Sequence, residues 1–269
     1  MSDINKTSLD TLAGALCNIM GVEAPECSNG ANADVTEYAS RVFGGESADR
    51  IFMYNPDAVA QWICEKYPTL IREVTAIAEL EECYCTVMPS VTPVCFGTMY
   101  TGAQPEVHGI RKYEKPVIKI DTVFDALLRA GKRVAIVATP KCSIANIFLE
   151  RELDYFICEN INEVNATACE LIIEDKHDFI VVYNGNYDAV MHKNGPESLA
   201  ALSELRANSQ AFAVFDSLIR KHWRSHNVFE AFAMDHGCHE IDGDCGSHGL
   251  DMPEDLNIKH YYRAYNKGE

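Results

Sequence analysis

The sequence predicts an α/β domain whose central sheet is mostly parallel and covered by helices. Residues 50–55 (RIFMYN), 133–138 (RVAIVA) and 178–184 (DFIVVYN) are short, nearly continuous apolar runs, the pattern of strands buried on both faces. Segments with apolar residues at helical spacing separate them, so strand, helix and strand follow in series. With 269 residues, 47% hydrophobic content, no internal repeat and no low-complexity linker, residues 1–269 are expected to form a single domain.

In chain order, residues 9–20 (LDTLAGALCNIM) read as an amphipathic helix with Ser8 or Thr7 as N-cap and Gly21 at its C-terminal end. Residues 23–49 read as a loop carrying a short helix. The strand at 50–55 is followed by Pro56-Asp57 and a helix over AVAQWICEKY that ends before Pro68. Residues 70–88 give a helix and then the strand CYCTVM. The run 89–110 (PSVTPVCFGTMYTGAQPEVHGI), rich in Pro, Gly, Ser and Thr, reads as a shaped loop entering a short helix. Residues 117–120 form a short strand candidate, Asp121 caps a helix over TVFDALLRA, and Gly131 ends it. CSIANIFLERE reads as helix, DYFIC as strand and NEVNATACELIIED as helix. Residues 196–223 carry the longest helical pattern, 227–234 form the last strand, and the tail 253–265 is polar and aromatic.

The chain carries 23 Lys and Arg against 40 Asp and Glu, a net charge of −17, which repels phosphate backbones and anionic membrane surfaces. A nucleic-acid polymer and a membrane are therefore excluded as partners, whereas a small anionic substrate neutralised by bound cations is compatible. No apolar run is long enough to span a bilayer, and MSDINKTSLD lacks the regions of a signal peptide, so a cytoplasmic location is expected. Of the eleven cysteines, Cys17, Cys64, Cys142, Cys158 and Cys169 sit singly in apolar segments, as reduced thiols do. Cys83 and Cys85 are spaced to share one face of a strand.

Ligand chemistry concentrates at 234–248 (MDHGCHEIDGDCGSH), where three histidines, three aspartates, one glutamate and two cysteines fall within fifteen residues. The stretch follows the apolar run VFEAFA, so Asp235 and His236 leave a strand end, where open α/β sheets place their sites. A divalent metal suits such a loop, the alternative being a solvated acidic loop. Asp57 also stands between a buried strand and the next helix, as ligand or as helix cap. Asp188 precedes His192 by four residues, which puts both on one face of a helical turn.

Four motifs recur in order. The first runs from Pro89 through Thr92 and Thr101-Gly102 to Pro105 and His108-Gly109-Ile110. The second is Asp188, His192-Lys193 and Gly195-Pro196; the third is Asp235-His236-Gly237; the fourth is Gly246-Ser247-His248-Gly249. With these motifs, over about two thirds of its length, the chain resembles the alkaline phosphatase superfamily and, within it, the type I phosphodiesterases and nucleotide pyrophosphatases. The resemblance implies an alkaline phosphatase-like sheet with helices on both faces. It also implies one metal held by Asp188, His192 and His248, and a second by Asp57, Asp235 and His236, with the Thr92 oxygen at or between them. Zinc suits these donors, with manganese or magnesium where carboxylates dominate. Two such cations about 4 Å apart can bind both non-bridging oxygens of a phosphoryl group. The implied function is a metal-dependent phosphodiesterase or phosphatase acting on a small phosphorylated substrate. It would work by double in-line displacement, through a phosphothreonine at Thr92 that water then hydrolyses.

The sequence departs from that pattern in three ways. Cys95 stands where the branch usually carries an asparagine. A helix and a long loop precede Asp57, and TLAGALCNIMGVEAP resembles the helix that closes relatives at their C-terminus. A circular permutation is therefore expected, with residues 9–22 packed beside the segment after His248. Thirdly, no stretch is large enough for a substantial cap domain, leaving substrate selection to loops 103–116 and 139–146. A sulfatase is excluded because no CxPxR signature is present. A phosphonoacetate hydrolase-like C–P hydrolase shares the threonine and ligands, and a metal-binding pseudoenzyme acting as an interaction protein is the reading from another class. Outside the matched positions, His239, Asp242 and Asp244 are expected behind the ligands or in solvent. His108 is expected to orient its loop, His177, His222 and His226 to lie at the surface, and Cys238 and Cys245 to be free thiols. The oligomeric state is not legible in the sequence.

Overall fold

The computed structural model of the chain describes residues 3–269. It begins with β1 (Thr7–Ser8), α1 (Thr11–Met20), α2 (Ala33–Val42) and β2 (Arg50–Pro56), then α3 (Gln61–Lys66), α4 (Arg72–Ile77) and β3 (Leu80–Cys85). The middle of the chain forms α5 (Thr92–Thr101), α6 (Pro105–His108), α7 (Val123–Arg129), β4 (Val134–Ala138), α8 (Ser143–Ile147), β5 (Asp154–Ile157), α9 (Ile161–Glu174) and β6 (Phe179–Asn184). It closes with α10 (Asn186–Asn194), α11 (Leu199–His222), β7 (Val228–Phe232), β8 (His239–Ile241), β9 (Cys245–Ser247), α12 (Pro253–Leu256) and β10 (Asn257–Tyr265).

Among the described residues, eight strands form one sheet in the order β1-β3-β10-β7-β2-β6-β4-β5, and β8 and β9 form a separate hairpin. The run β7-β2-β6-β4-β5 is parallel throughout, and β10 is antiparallel to both its neighbours, β3 and β7. Helices cover both faces because the parallel strands are apolar on both. Phe52 and Tyr54 of β2 meet Phe215 and Phe212 of α11, whereas Asn55, pointing the other way, accepts a hydrogen bond from Tyr100 of α5 at 2.7 Å. Alternation along one strand thus assigns α11 and α5 to opposite faces. Among the described residues, no helix is long and apolar enough to cross a membrane.

The predicted strands at 50–55, 133–138 and 178–184 are β2, β4 and β6. Several other expectations are corrected. Residues 117–120 form no strand: the Ile118 N–H donates to Ile147 O at 2.8 Å, and the Arg151 guanidinium takes the Ile118 and Ile120 carbonyls, so these backbone groups pair without a neighbouring strand. Thr122, not Asp121, caps α7, in a capping box with Asp125, while Asp121 pairs with Arg129. The helix read over CSIANIFLERE stops at Ile147, and Glu150 then takes a left-handed turn at φ 65°. Thr7 and Ser8 form a strand rather than a cap, and Asp10 begins α1. The polar and aromatic tail 253–265 forms α12 and β10, and β10 lies inside the sheet between β3 and β7.

Helix α1 packs against α2, α5 and α7. It is the chain in front of the helix that reaches the segment after His248: Asn5 N–H donates to Asn257 Oδ1 at 2.9 Å, and the Asn257 side chain donates to Asp3 O at 2.9 Å. Strand β1 pairs with β3, so two residues of sheet precede the helix.

Candidate metal centre and nucleophile

Strands β7, β2 and β6 are neighbours and parallel, so their C-terminal ends open onto one place. Asp57 follows β2, and its N–H donates to Asn184 O at the end of β6 at 2.9 Å. The next residue, Ala58, adopts a left-handed φ of 60°. That turn lets its N–H reach Asp235 Oδ1 at 3.2 Å and ties the β2 loop to the β7 loop. Asp188 and His192 share one face of α10, which starts directly after β6, and His248 follows the hairpin. Thr92 is the first residue of α5.

The structure brings these residues into two triads, Asp57 with Asp235 and His236, and Asp188 with His192 and His248. The candidate donor atoms of each triad all lie within 4.8 Å of one another. In the first, which is fully buried, His236 Nε2 is 3.4 Å from Asp57 Oδ1 and 3.4 Å from Asp235 Oδ2. In the second, His192 Nε2 and His248 Nε2 lie 3.2 and 3.4 Å from Asp188 Oδ1. The Thr92 hydroxyl lies 3.2 Å from His236 Nε2 and 3.4 and 3.5 Å from the two Asp57 oxygens. Ser90 and Thr98 are buried too, but Thr98 is occupied by His108 at 3.1 Å and the Ser90 hydroxyl has no partner among the described residues.

All three histidines are oriented alike. His236, His192 and His248 each direct Nδ1 at a backbone carbonyl, of Gly237, Gly246 and Ser90 respectively, at 2.9 Å. The carbonyls fix the proton on Nδ1 and turn every Nε2 into the centre, the arrangement of metal-ligating imidazoles. His192 Nε2 and His248 Nε2 then stand 3.1 Å apart, a contact that a shared proton or cation relieves.

The carboxylates carry the same message. Asp188 Oδ1 and Asp235 Oδ2 are buried without a hydrogen-bond partner among the described residues. Burial first, and then the charges of Asp235 and Asp188, push the Asp57 carboxyl well above its ordinary range. Burial, with a contribution from Asp188, pushes Asp235 up to about 8. Burial also raises Asp188, but the His192 and His248 imidazoles facing it outweigh that and hold its carboxyl low. Asp188 in turn pushes His192 up to about 9, so a proton occupies a place where a cation would fit. Three acids crowded in low dielectric, with orphaned oxygens and converging imidazole lone pairs, are a donor set suited to divalent cations.

No protein-family model and no curated protein matches the chain. Its structure is similar to murine ectonucleotide pyrophosphatase/phosphodiesterase 5, an inactive form in complex with AMP, at TM-score 0.62 and 13% identity, covering 82% of this chain and 90% of that one. The human ectonucleotide pyrophosphatase/phosphodiesterase 5 gives 0.57 at 14% identity, over 72% of this chain and 58% of that one. Phosphonoacetate hydrolase of Sinorhizobium meliloti, in complex with phosphonoformate, gives 0.53 at 18% identity, over 74% and 59%. The chain has the fold of these ectonucleotide pyrophosphatase/phosphodiesterases and of phosphonoacetate hydrolase.

Within that fold, the two triads rest on contacts without a signature in the sequence. Tyr183, at the end of β6, donates its hydroxyl to Asp57 Oδ2. Thr86 donates to Asp235 O at 2.7 Å, and His260 of β10 holds Met234 O at 2.6 Å. Two glycines of the matched motifs, Gly237 and Gly246, are close-approach positions. A Cβ at Gly237 would stand 2.1 Å from Glu254 O, and one at Gly246 would stand 2.2 Å from the Met191 sulfur and 2.9 Å from its carbonyl. A cavity of about 530 Å³ opens beside Asp188 and Tyr183. Thr139, Lys141 and Cys142 form part of its wall, so loop 139–146 borders the site as expected, and Lys115 of loop 103–116 reaches Lys141 O at 2.7 Å.

The remaining sequence candidates fall outside the centre. His239 bonds Asp255, and Asp242 and Asp244 are exposed on the hairpin turn. His108 packs against Gly97 beneath α5, as a loop-orienting residue would. Cys95 is buried in α5, with its thiol pushed up by burial and then by Asp235. Cys238 and Cys245 are free thiols. His177 is a correction: it is buried rather than at the surface, bonded to Asp154 at 2.8 Å against the edge strand β5.

Proposed function

We propose that this chain is a two-metal hydrolase of phosphate esters with Thr92 as its nucleophile. The observation that supports this most is the Thr92 hydroxyl, set within 3.5 Å of Asp57 and His236 at the start of a ten-residue helix. One divalent cation would be held by Asp57, Asp235 and His236 and the other by Asp188, His192 and His248. Three nitrogen or oxygen donors each, with a position left for substrate, suit zinc, and manganese or magnesium fit the carboxylate-rich triad. Such cations, when bound, supply Lewis acidity to the phosphoryl oxygens and lower the pKa of the attacking hydroxyl.

The chain's own residues supply the rest. The first turn of α5 turns the positive end of the helix toward the phosphoryl oxygens; Pro93 lacks an N–H, and the Val94 and Cys95 N–H groups are held by Val91 O at 3.0 Å. The Asp57 carboxylate lies where it can take the Thr92 proton. Thr92 Oγ1 forms a bond to phosphorus as the bond to the leaving alcohol breaks and that alcohol takes up a proton. Water then cleaves the phosphothreonine, releasing phosphate from a monoester or a phosphomonoester from a diester. The cavity beside Asp188 is lined mainly by polar groups, including Thr139, Asn160, Asn162 and Asn186, and would receive the esterifying group of a small phosphorylated substrate.

The test is hydrolysis of p-nitrophenyl phosphate, bis-p-nitrophenyl phosphate and phosphonoacetate by protein supplied with zinc, manganese or magnesium. At least one ester should turn over, and Thr92→Ala should lower that rate roughly 10³-fold or more. Hydrolysis of neither ester with any of the cations would overturn the assignment. Cleavage of phosphonoacetate alone would replace it with C–P bond hydrolysis.

A further inference from the structure

The residues that join the two triads are few. His236 and His248 are separated by a single hairpin, and both of its ends return to one buried residue, one to its backbone carbonyl and the other to its carboxylate. The Gly237 N–H donates to Asp255 O at 2.8 Å. The Leu250 N–H donates to Asp255 Oδ2 at 2.8 Å. His239 Nδ1 donates to Asp255 Oδ1 at 2.7 Å. Asp255 is fully buried, so its oxygens are committed to these partners rather than to water.

The connection reaches both triads through short paths. Gly237 adjoins His236, and its carbonyl accepts the His236 Nδ1 hydrogen bond. His239 is the register partner of Ser247 across the hairpin, one residue before His248. The outer strand of the hairpin, β9, lies against α10, with Gly246 O accepting from His192. On the other side Gly237 is pressed against the Glu254 carbonyl, where no Cβ would fit. The hairpin lies against α12 at one end and α10 at the other, and the His239–Asp255 bond is the side-chain brace that ties β8 to α12.

We infer that Asp255, acting through His239 and the two ends of residues 237–250, is a positioning residue that sets the separation of the two metal-binding triads. The inference rests on the two-metal reading. It explains a histidine that ligates nothing in either triad yet lies among the ligands.

The experiment loads the full chain with Mn(II), counts bound ions, and records the electron paramagnetic resonance spectrum alongside kcat and KM for bis-p-nitrophenyl phosphate. Asp255→Asn keeps the size of the side chain but has one acceptor oxygen where two N–H groups need one each. Wild type should bind two ions with a spin-coupled spectrum. Asp255→Asn should still bind two ions, with the coupling weakened and kcat lower by roughly 10²-fold at little-changed KM, as a displacement of about 1 Å would give. His239→Gln, which leaves the Leu250 bond intact, should show the same changes to a smaller degree, and it carries the test if Asp255→Asn does not fold. Coupling and kcat equal to wild type in whichever variant folds would overturn the positioning role, because a purely structural residue would lower the melting temperature without touching the coupling. Fewer than two ions in wild type, or two uncoupled ones, would instead overturn the two-metal reading and this inference with it.

Discussion

Thr92 differs from the neighbouring hydroxyls of Ser90 and Thr98 only in where it points, since all three are buried. Its distance along the chain to Pro89 and to Thr101-Gly102 singles it out in the sequence, and it alone of the three has its hydroxyl within reach of Asp57 and His236. Tyr183 is the opposite case. It sits in an apolar strand run and reads as core, yet its hydroxyl holds Asp57 Oδ2. Tyr183→Phe removes that hydrogen bond and little else, so zinc affinity of the Asp57 triad should fall about 10- to 100-fold in a competition titration with a chelator. Unchanged affinity would mean that Asp57 is held without it. Five of the six candidate ligands stand at motif positions in the sequence, and Asp57 was offered by its place between a buried strand and the next helix, as ligand or as cap. Two of their orienting partners were not legible, because the carbonyls that hold His192 and His248, those of Gly246 and Ser90, come from distant parts of the chain.

Elements were legible where burial is two-sided and hidden where polar side chains are folded inward. Strands β2, β4 and β6 announce themselves as apolar runs. Strand β10 (NIKHYYRAY) does not, because His260 turns inward to hold Met234 O and Arg263 lies opposite Glu230 of β7. Glu230 itself is a buried acid in a central strand, and neither of its carboxyl oxygens has a hydrogen-bond partner among the described residues. Burial, and then the charge of Asp216, raise its carboxyl well above the ordinary range. The folded chain therefore keeps a proton that the unfolded chain gives up above pH about 4.3, so this contribution to stability is full below that pH and drains away as pH rises toward the folded value. Glu230→Gln should be more stable than wild type at pH 8 by about 1–3 kcal/mol, with the gap closing toward pH 4, in urea unfolding followed across pH. A gap that stays constant with pH would contradict it.

At the scale of the molecule, the site exists because the parallel run β7-β2-β6 brings residues 57, 188 and 235 together from far apart in the chain, while α5 carries residue 92 in from one face. That architecture was readable from the strand, helix and strand order and from the strand-end acids. The packing of the first helix was not, because its apolar face fits any helix-covered sheet, and only the surroundings decided that it rests on α5 and α7. The chain's charge of −17 acquires a local meaning too: three of its acids converge in a buried centre that ordinary surface solvation cannot relieve. The central claim, that this centre serves Thr92 in phosphoryl transfer, is tested most directly by acid-quenching zinc-loaded protein during turnover of bis-p-nitrophenyl phosphate and locating the modified residue by peptide mass spectrometry. The predicted result is a p-nitrophenylphosphoryl ester on Thr92 that appears during turnover and is absent from Thr92→Ala. Turnover by Thr92→Ala at the wild-type rate, or the phosphoryl group on another residue, would contradict it.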